Sequence, residues 1–211
     1  MESTEGLSKR SLDKLSDPAP EEDKYHGKSP QRQQQRGGVR SLAIAVAAPF
    51  LLGAAIGFLF GPDKWYANLQ KPSWNPPGWL FGTVWSAIYP LMGLASWLVW
   101  ANGGWHKQSY PLTLYVVQLG LNLLWSAAFF GLHNPLLALA DIVVLVVVVL
   151  ACIAAFKPVN HVAANLMQVY LAWILFALAL NASIWYMNMG VGGAGVDPDQ
   201  AQVATGATNQ E

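Results

Sequence analysis

The chain has 211 residues, of which 54% are hydrophobic and only 11% are charged, against about 25% charged in an ordinary soluble domain. Twelve bases balance twelve acids, yet eight of those bases and seven of those acids lie before Ser41, and residues 41–190 hold only Asp63, Lys64, Lys71, Lys107, Asp141 and Lys157. That distribution excludes a soluble globular domain and gives no reason to expect a nucleic-acid partner; it points to an all-α membrane protein.

Residues 1–40 are polar, carry Pro18, Pro20 and Pro30 and end in a QRQQQRGG run. They have too little apolar surface to offset chain entropy, so a disordered polar N-terminal extension is expected. No apolar stretch precedes Ser41 and the segment is rich in acids, so neither a cleavable signal nor a presequence is expected. Arg32, Arg36 and Arg40 stand just before the first span and would hold this end in the cytosol. The first span covers about 42–61, with Pro49 a source of a kink. Gly53, Gly57 and Gly61 repeat every fourth residue, a pattern that lets another helix of the bundle approach closely.

Residues 65–89 read WYANLQKPSWNPPGWLFGTVWSAIY and contain Trp65, Trp74, Trp79 and Trp85 together with the Lys71-Pro72 and Pro76-Pro77 pairs. Each proline removes a backbone donor and biases its predecessor away from the helical region. A stiff, non-helical, aromatic connection is therefore expected over 65–77. The second span, about 78–101, places Trp85 and Tyr89 on one face. Asn102-Gly103-Gly104 ends it, and Trp97, Trp100 and Trp105 suit the headgroup boundary.

The third span, about 110–131, carries Gln118, Asn122, Trp125 and Phe129 on one face, and amides in hydrocarbon direct that face inward. His133-Asn134-Pro135 is a turn short enough to make the third and fourth spans antiparallel neighbours. The fourth span, about 136–156, is almost featureless except for Asp141. An acid at mid-bilayer costs ~2.5–3.5 kcal/mol on insertion scales, so a structural hydrogen bond is expected for it, with proton relay the alternative. The fifth span, about 162–188, aligns Tyr170, Trp173, Ala177 and Asn181. Residues 41–189 thus read as a five-transmembrane-helix bundle and residues 190–211 as a disordered tail. Five spans leave the two ends on opposite sides, with the loop at 65–77 facing the lumen.

Phosphate loops, metalloprotease and nucleophile-elbow motifs are absent, so no catalytic residue and no metal site is assigned. Cys152 stands alone and gives no disulfide. His26, His106, His133 and His161 are scattered over the extension and three loops. Among them His106, beside Trp105, is the candidate axial ligand to haem iron, set against an ordinary solvated loop histidine. Trp85, Tyr89, Asn122, Trp125, Tyr170 and Trp173 come from inward faces of three spans. They form either an aromatic cavity fit for a planar macrocycle or a sterol, or plain bundle packing.

At these residues the chain resembles the translocator protein family, also called tryptophan-rich sensory proteins or peripheral-type benzodiazepine receptors. The resemblance covers about residues 42–185. It rests on WYANLQKPSWNPP at 65–77, VWSAIYPLMG at 84–93, QLGLNLLWSAAFFG at 118–131, and YLAW at 170–173 with Phe176, Leu180 and Asn181 beyond it. It implies a five-helix bundle, often a homodimer, that binds porphyrins, haem and sterols in a cavity capped by the first loop. Trp85 and Trp173 match the family tryptophans implicated in porphyrin binding and photo-oxidative breakdown. Tyr66, Asn122 and Trp125 match other cavity positions, and Trp74 and Ala177 complete the expected set. No cofactor is obligatory; haem or protoporphyrin IX is expected as ligand. The expected role is a tetrapyrrole receptor in stress-related porphyrin scavenging. A transporter of porphyrin or sterol and a light-dependent porphyrin-degrading enzyme are the alternatives.

The long polar extension and the GGWHK segment at 103–107 resemble the plant-type branch. That branch implies endoplasmic reticulum and Golgi membranes, with the mitochondrial outer membrane the alternative. The animal-type sterol motif needs a basic residue after the aromatic one, and Tyr186 is followed by MNMGV instead.

Overall fold

Helix α1 spans Pro30–Leu59 and crosses the membrane as Gly38–Leu59, reaching further towards the N-terminus than the expected 42–61. The computed structural model describes the backbone of residues 30–189 and the side chains from Gly38 onward; the remainder of the expected extension and the tail from 190 lie outside the described residues. Four further long helices complete an all-helical bundle with five membrane spans. They are α3 (Gly78–Trp100), α4 (Gly104–Ser126) continuing as a π-helical turn over Ala127–Gly131, α5 (Pro135–Phe156) and α6 (His161–Asn188). At ~1.5 Å per residue each is long enough for the ~30 Å hydrocarbon layer.

The connection before α3 departs from the sequence reading. It contains one short helix, α2 (Lys64–Asn68), because Asp63 caps it: its Oδ1 accepts the Tyr66 backbone N–H at 3.0 Å. The prolines act only downstream of Leu69, so a single turn fits ahead of them. Asn134 and Asn160 cap α5 and α6 in the same way, through the N–H groups of Leu137 and Ala163, and Pro135 occupies the first turn where its missing donor costs nothing. Helix α4 starts earlier than 110, at Gly104, and bends at Gln108, whose backbone leaves the helical region.

Helices α3 to α6 pack on one another around Met92, Val99, Leu145, Val149, Cys152, Phe156, Met167 and Ile174. With hydrocarbon outside, this association rests on close packing and interhelical hydrogen bonds rather than on water exclusion. Helix α1 lies at the margin. Only 6% of its apolar window is buried, against 28–39% for the others, and Pro49 is its sole buried residue. Its nearest approach is at Gly93 of α3, where a Cβ would come within 2.7 Å of the Val46 Cα and closer still to the Ala45 carbonyl. Trp97 Nε1 adds a 3.0 Å bond to Ser41 Oγ.

The glycine ladder of α1 therefore behaves differently from the expectation. A Cβ on Gly53 would strike the Tyr89 ring, whereas one on Gly57 would meet nothing within 4 Å, and one on Gly61 would meet only the carbonyl of Gly57. Asp141 also differs: its Oδ2 is buried with no hydrogen-bond partner among the described residues, because the side chains that neighbour it along α5 are aliphatic. The expected structural hydrogen bond is not formed there.

Candidate functional site

A cavity of about 430 Å3 opens where the C-terminal ends of α1, α4 and α6 meet the start of α3. Chain direction explains the meeting: alternate helices reverse, so the late residues of the odd spans face the early residues of the second. From α3 come Phe81, Trp85 and Tyr89; from α4 and its π-helical turn Trp125, Phe129 and Phe130; from α6 Ala177, Leu180, Asn181 and Ile184. Tyr66, Asn75 and Pro76 of the connecting loop close one end. No lining residue is charged and none is a histidine.

The walls are two aromatic groups. Trp85 lies 5.2 Å from Tyr89 and meets Tyr170 and Trp173 at 6.3 Å each, the latter edge-on. Phe129 stacks on Trp125 at 5.2 Å and takes the edges of Trp65 at 5.8 Å, Tyr66 at 6.1 Å and Phe130 at 4.9 Å. The π-helical turn makes the second group possible. Leu132 N–H bonds back to the Ala127 carbonyl at 2.8 Å, and this wider turn presents both Phe129 and Phe130 to the loop.

Polar groups fix the rings from behind. Asn122 accepts from the Tyr89 hydroxyl at 2.8 Å and donates to the Tyr170 hydroxyl at 3.1 Å, bridging α3, α4 and α6. Asn181 accepts from Trp125 Nε1 at 3.0 Å and donates to the Pro135 carbonyl at 2.9 Å. Trp173 Nε1 is buried without a partner among the described residues.

The loop is held over the cavity at two places. Asn188, at the end of α6, takes both backbone groups of Gln70: it accepts from the N–H at 3.1 Å and donates to the carbonyl at 2.9 Å. On the other flank Asp63 Oδ2 meets His133 Nε2 at 2.9 Å, and the Trp65 indole stacks on the same imidazole at 4.5 Å. Between these anchors Lys71 Nζ donates to the Ala67 and Leu69 carbonyls and sits 4.7 Å above the Tyr66 ring. The Tyr66 hydroxyl donates to Asn75 at 3.3 Å, and partial burial raises its pKa above the ordinary value for tyrosine.

Of the residues singled out from sequence, Tyr66, Trp85, Tyr89, Trp125 and Ala177 line the cavity. Asn122 and Tyr170 form the buried layer beneath Tyr89, and Trp173 backs Trp85. Trp74 packs edge-on against Phe176 at 5.8 Å, is 46% exposed and does not line the cavity. His106 is exposed in the first turn of α4. Nineteen residues of helix separate it from Trp125, about 28 Å at 1.5 Å per residue, so it belongs to the other end of the bundle. Phe81, Phe129, Phe130, Asn75 and Asn181 were not among the expected cavity residues. Helical spacing from Trp125 and Ala177 would have reached Phe129 and Asn181; no local pattern marks Asn75.

The TspO/MBR family matches residues 45–187 of this chain. The chain is 41% identical over 148 residues to the tryptophan-rich protein TspO of Archaeoglobus fulgidus, covering 70% of this chain and 91% of that protein. It is 42% identical over 144 residues to the human translocator protein, covering 66% of this chain and 85% of that one. A translocator protein homolog from Arabidopsis thaliana is 38% identical over 154 residues, covering 72% and 79%. Archaeal, mammalian and plant relatives thus stand at similar distances, and the plant-type branch is not singled out.

Proposed function

Because this chain belongs to the TspO/MBR family and is an integral membrane protein with five spans, we propose that it is a membrane receptor that binds tetrapyrroles, haem or protoporphyrin IX, within the aromatic cavity. The observation that carries this reading is the lining itself. About 430 Å3 is walled by indole, phenol and phenyl rings on three helices, with no charged side chain among them. A flat, apolar, polarisable ring system is the ligand such walls favour, by burial and by offset or edge contacts between rings. Trp85 and Trp125 would flank the macrocycle, and the Tyr66 loop would cover it. The anionic substituents of a porphyrin would have to stay at the mouth, since desolvating a carboxylate among rings is costly. Capture of free porphyrin in this way suits a scavenging role under stress, when unbound tetrapyrrole is photochemically damaging.

Titration of the purified full-length chain with haemin and with protoporphyrin IX, followed by tryptophan quenching, tests the proposal. Saturable binding is expected for both. The Trp85→Ala/Trp125→Ala double variant should bind at least tenfold more weakly, the loss of two aromatic walls at about 1 kcal/mol or more each. Equal binding by the double variant would sink the assignment of this cavity.

A further inference from the structure

The cavity is covered from the aqueous side, and its open side faces elsewhere. Among its helix-borne lining residues, the exposed ones are Phe50, Ala54 and Gly57 on α1 and Gly78, Gly82 and Ser86 on α3; those on α4, its π-helical turn and α6 are buried or half-buried. The opening therefore lies between α1 and α3. Glycine geometry gives its shape. A Cβ at Gly57, Gly78 or Gly82 would meet nothing within 4 Å, while one at Gly93 would run into the backbone of Ala45 and Val46. The two helices touch at one end and diverge towards the other, leaving a tapered gap bordered by residues with little or no side chain. Both helices are membrane spans, so the gap meets hydrocarbon. The loop above offers no comparable opening, since Asn188 holds Gln70 through two hydrogen bonds and His133 holds Asp63 and Trp65.

We propose that a flat apolar ligand reaches the cavity sideways, from the hydrocarbon of the bilayer, through the slot between α1 and α3 whose rims are Ala54, Gly57, Gly82 and Ser86. The inference rests on the tetrapyrrole reading for the identity of its passenger. The slot is passable because its rims are glycine, alanine and serine: a thin ring system can slide between two backbones where a branched side chain would close the way. It also accounts for the sparse packing of α1, which keeps one wall of the site free of interlocking contacts that a passing ligand would have to break.

The test uses the full chain in phosphatidylcholine vesicles and stopped-flow tryptophan quenching by protoporphyrin IX. In the wild type the association rate should follow the amount of porphyrin per lipid rather than its bulk aqueous concentration. Gly82→Leu should slow association and dissociation by at least tenfold each, and Gly82→Ala, a change that helices tolerate well, should slow both by a smaller factor. Asn188→Ala, which frees the loop from α6, should change neither rate. Acceleration of both rates by Asn188→Ala, with no effect of either Gly82 substitution, would overturn the slot and make the loop the doorway. Saturable binding with rates indifferent to Gly82 would overturn the slot alone. No saturable binding in the wild type would overturn the tetrapyrrole reading and the slot with it.

Discussion

Asp63 carries two contacts on one carboxylate: Oδ1 takes the Tyr66 backbone N–H, and Oδ2 faces His133. Its pKa is held below the ordinary carboxylate range, first by that backbone N–H and also by the nearby imidazole, against a small opposing effect of desolvation. A carboxyl whose folded value is depressed adds stability above its unfolded pKa of about 4, and that contribution disappears as pH falls through the lower folded value. The loop should therefore be firmest near neutrality and loosen in acid. Amide exchange at Tyr66 and Ala67, measured at neutral pH and below pH 4, should show severalfold faster opening in acid. Asp63→Asn should keep the cap, because the amide oxygen accepts the same N–H, and should flatten the acid dependence. Asp63→Ala should exchange quickly at every pH. Fast exchange in Asp63→Asn at neutral pH would assign the stability to the His133 contact instead of the cap.

Helix faces were legible where polar or aromatic residues recur at helical spacing in hydrocarbon. Gln118, Asn122 and Phe129 of α4 are buried as expected, and so are Tyr170, Ala177 and Asn181 of α6. Other features depend on pairings that no local pattern announces. Gln70 and Asn188 are 118 residues apart. Gly93 stands alone in α3, yet it makes the closest approach to α1, while the regular glycines of α1 mostly face open space. Periodicity tells which residues share a face, but only the neighbour's position tells whether that face is packed or empty. The difference is measurable in thermal unfolding. Gly93→Leu forces a side chain onto the Ala45 and Val46 backbone and should cost about 1–3 kcal/mol, the usual range for overpacking. Gly57→Leu, which projects into space, should leave the melting temperature close to that of the wild type. Equal stability of the two variants would refute the tapered arrangement of α1 and α3.

At the scale of the whole molecule, the two membrane faces are chemically unlike. One end holds the cavity, the two aromatic groups and the anchored loop; the other holds Trp97, Trp100, Trp105 and the exposed His106. Haem seated among Trp85, Trp125 and Phe129 would find no imidazole, so iron should add little to affinity. Haemin and protoporphyrin IX are expected to bind within a few fold of each other, and His106→Ala should leave both affinities unchanged in the same fluorescence titration. A selective loss of haemin binding in that variant would place haem at the other end of the bundle. The π-helical turn at Ala127–Gly131 adds a lesson about descent. A turn of this kind amounts to one surplus residue lodged in a helix. Removing a single residue there would let the segment relax into ordinary α-helix and swing everything beyond it by about 100°, carrying Phe129 and Phe130 away from Tyr66. A deletion in this one stretch would therefore erase a cavity wall without touching the hydropathy of the span, so two sequences equally credible as membrane proteins could differ completely in whether they hold a ligand.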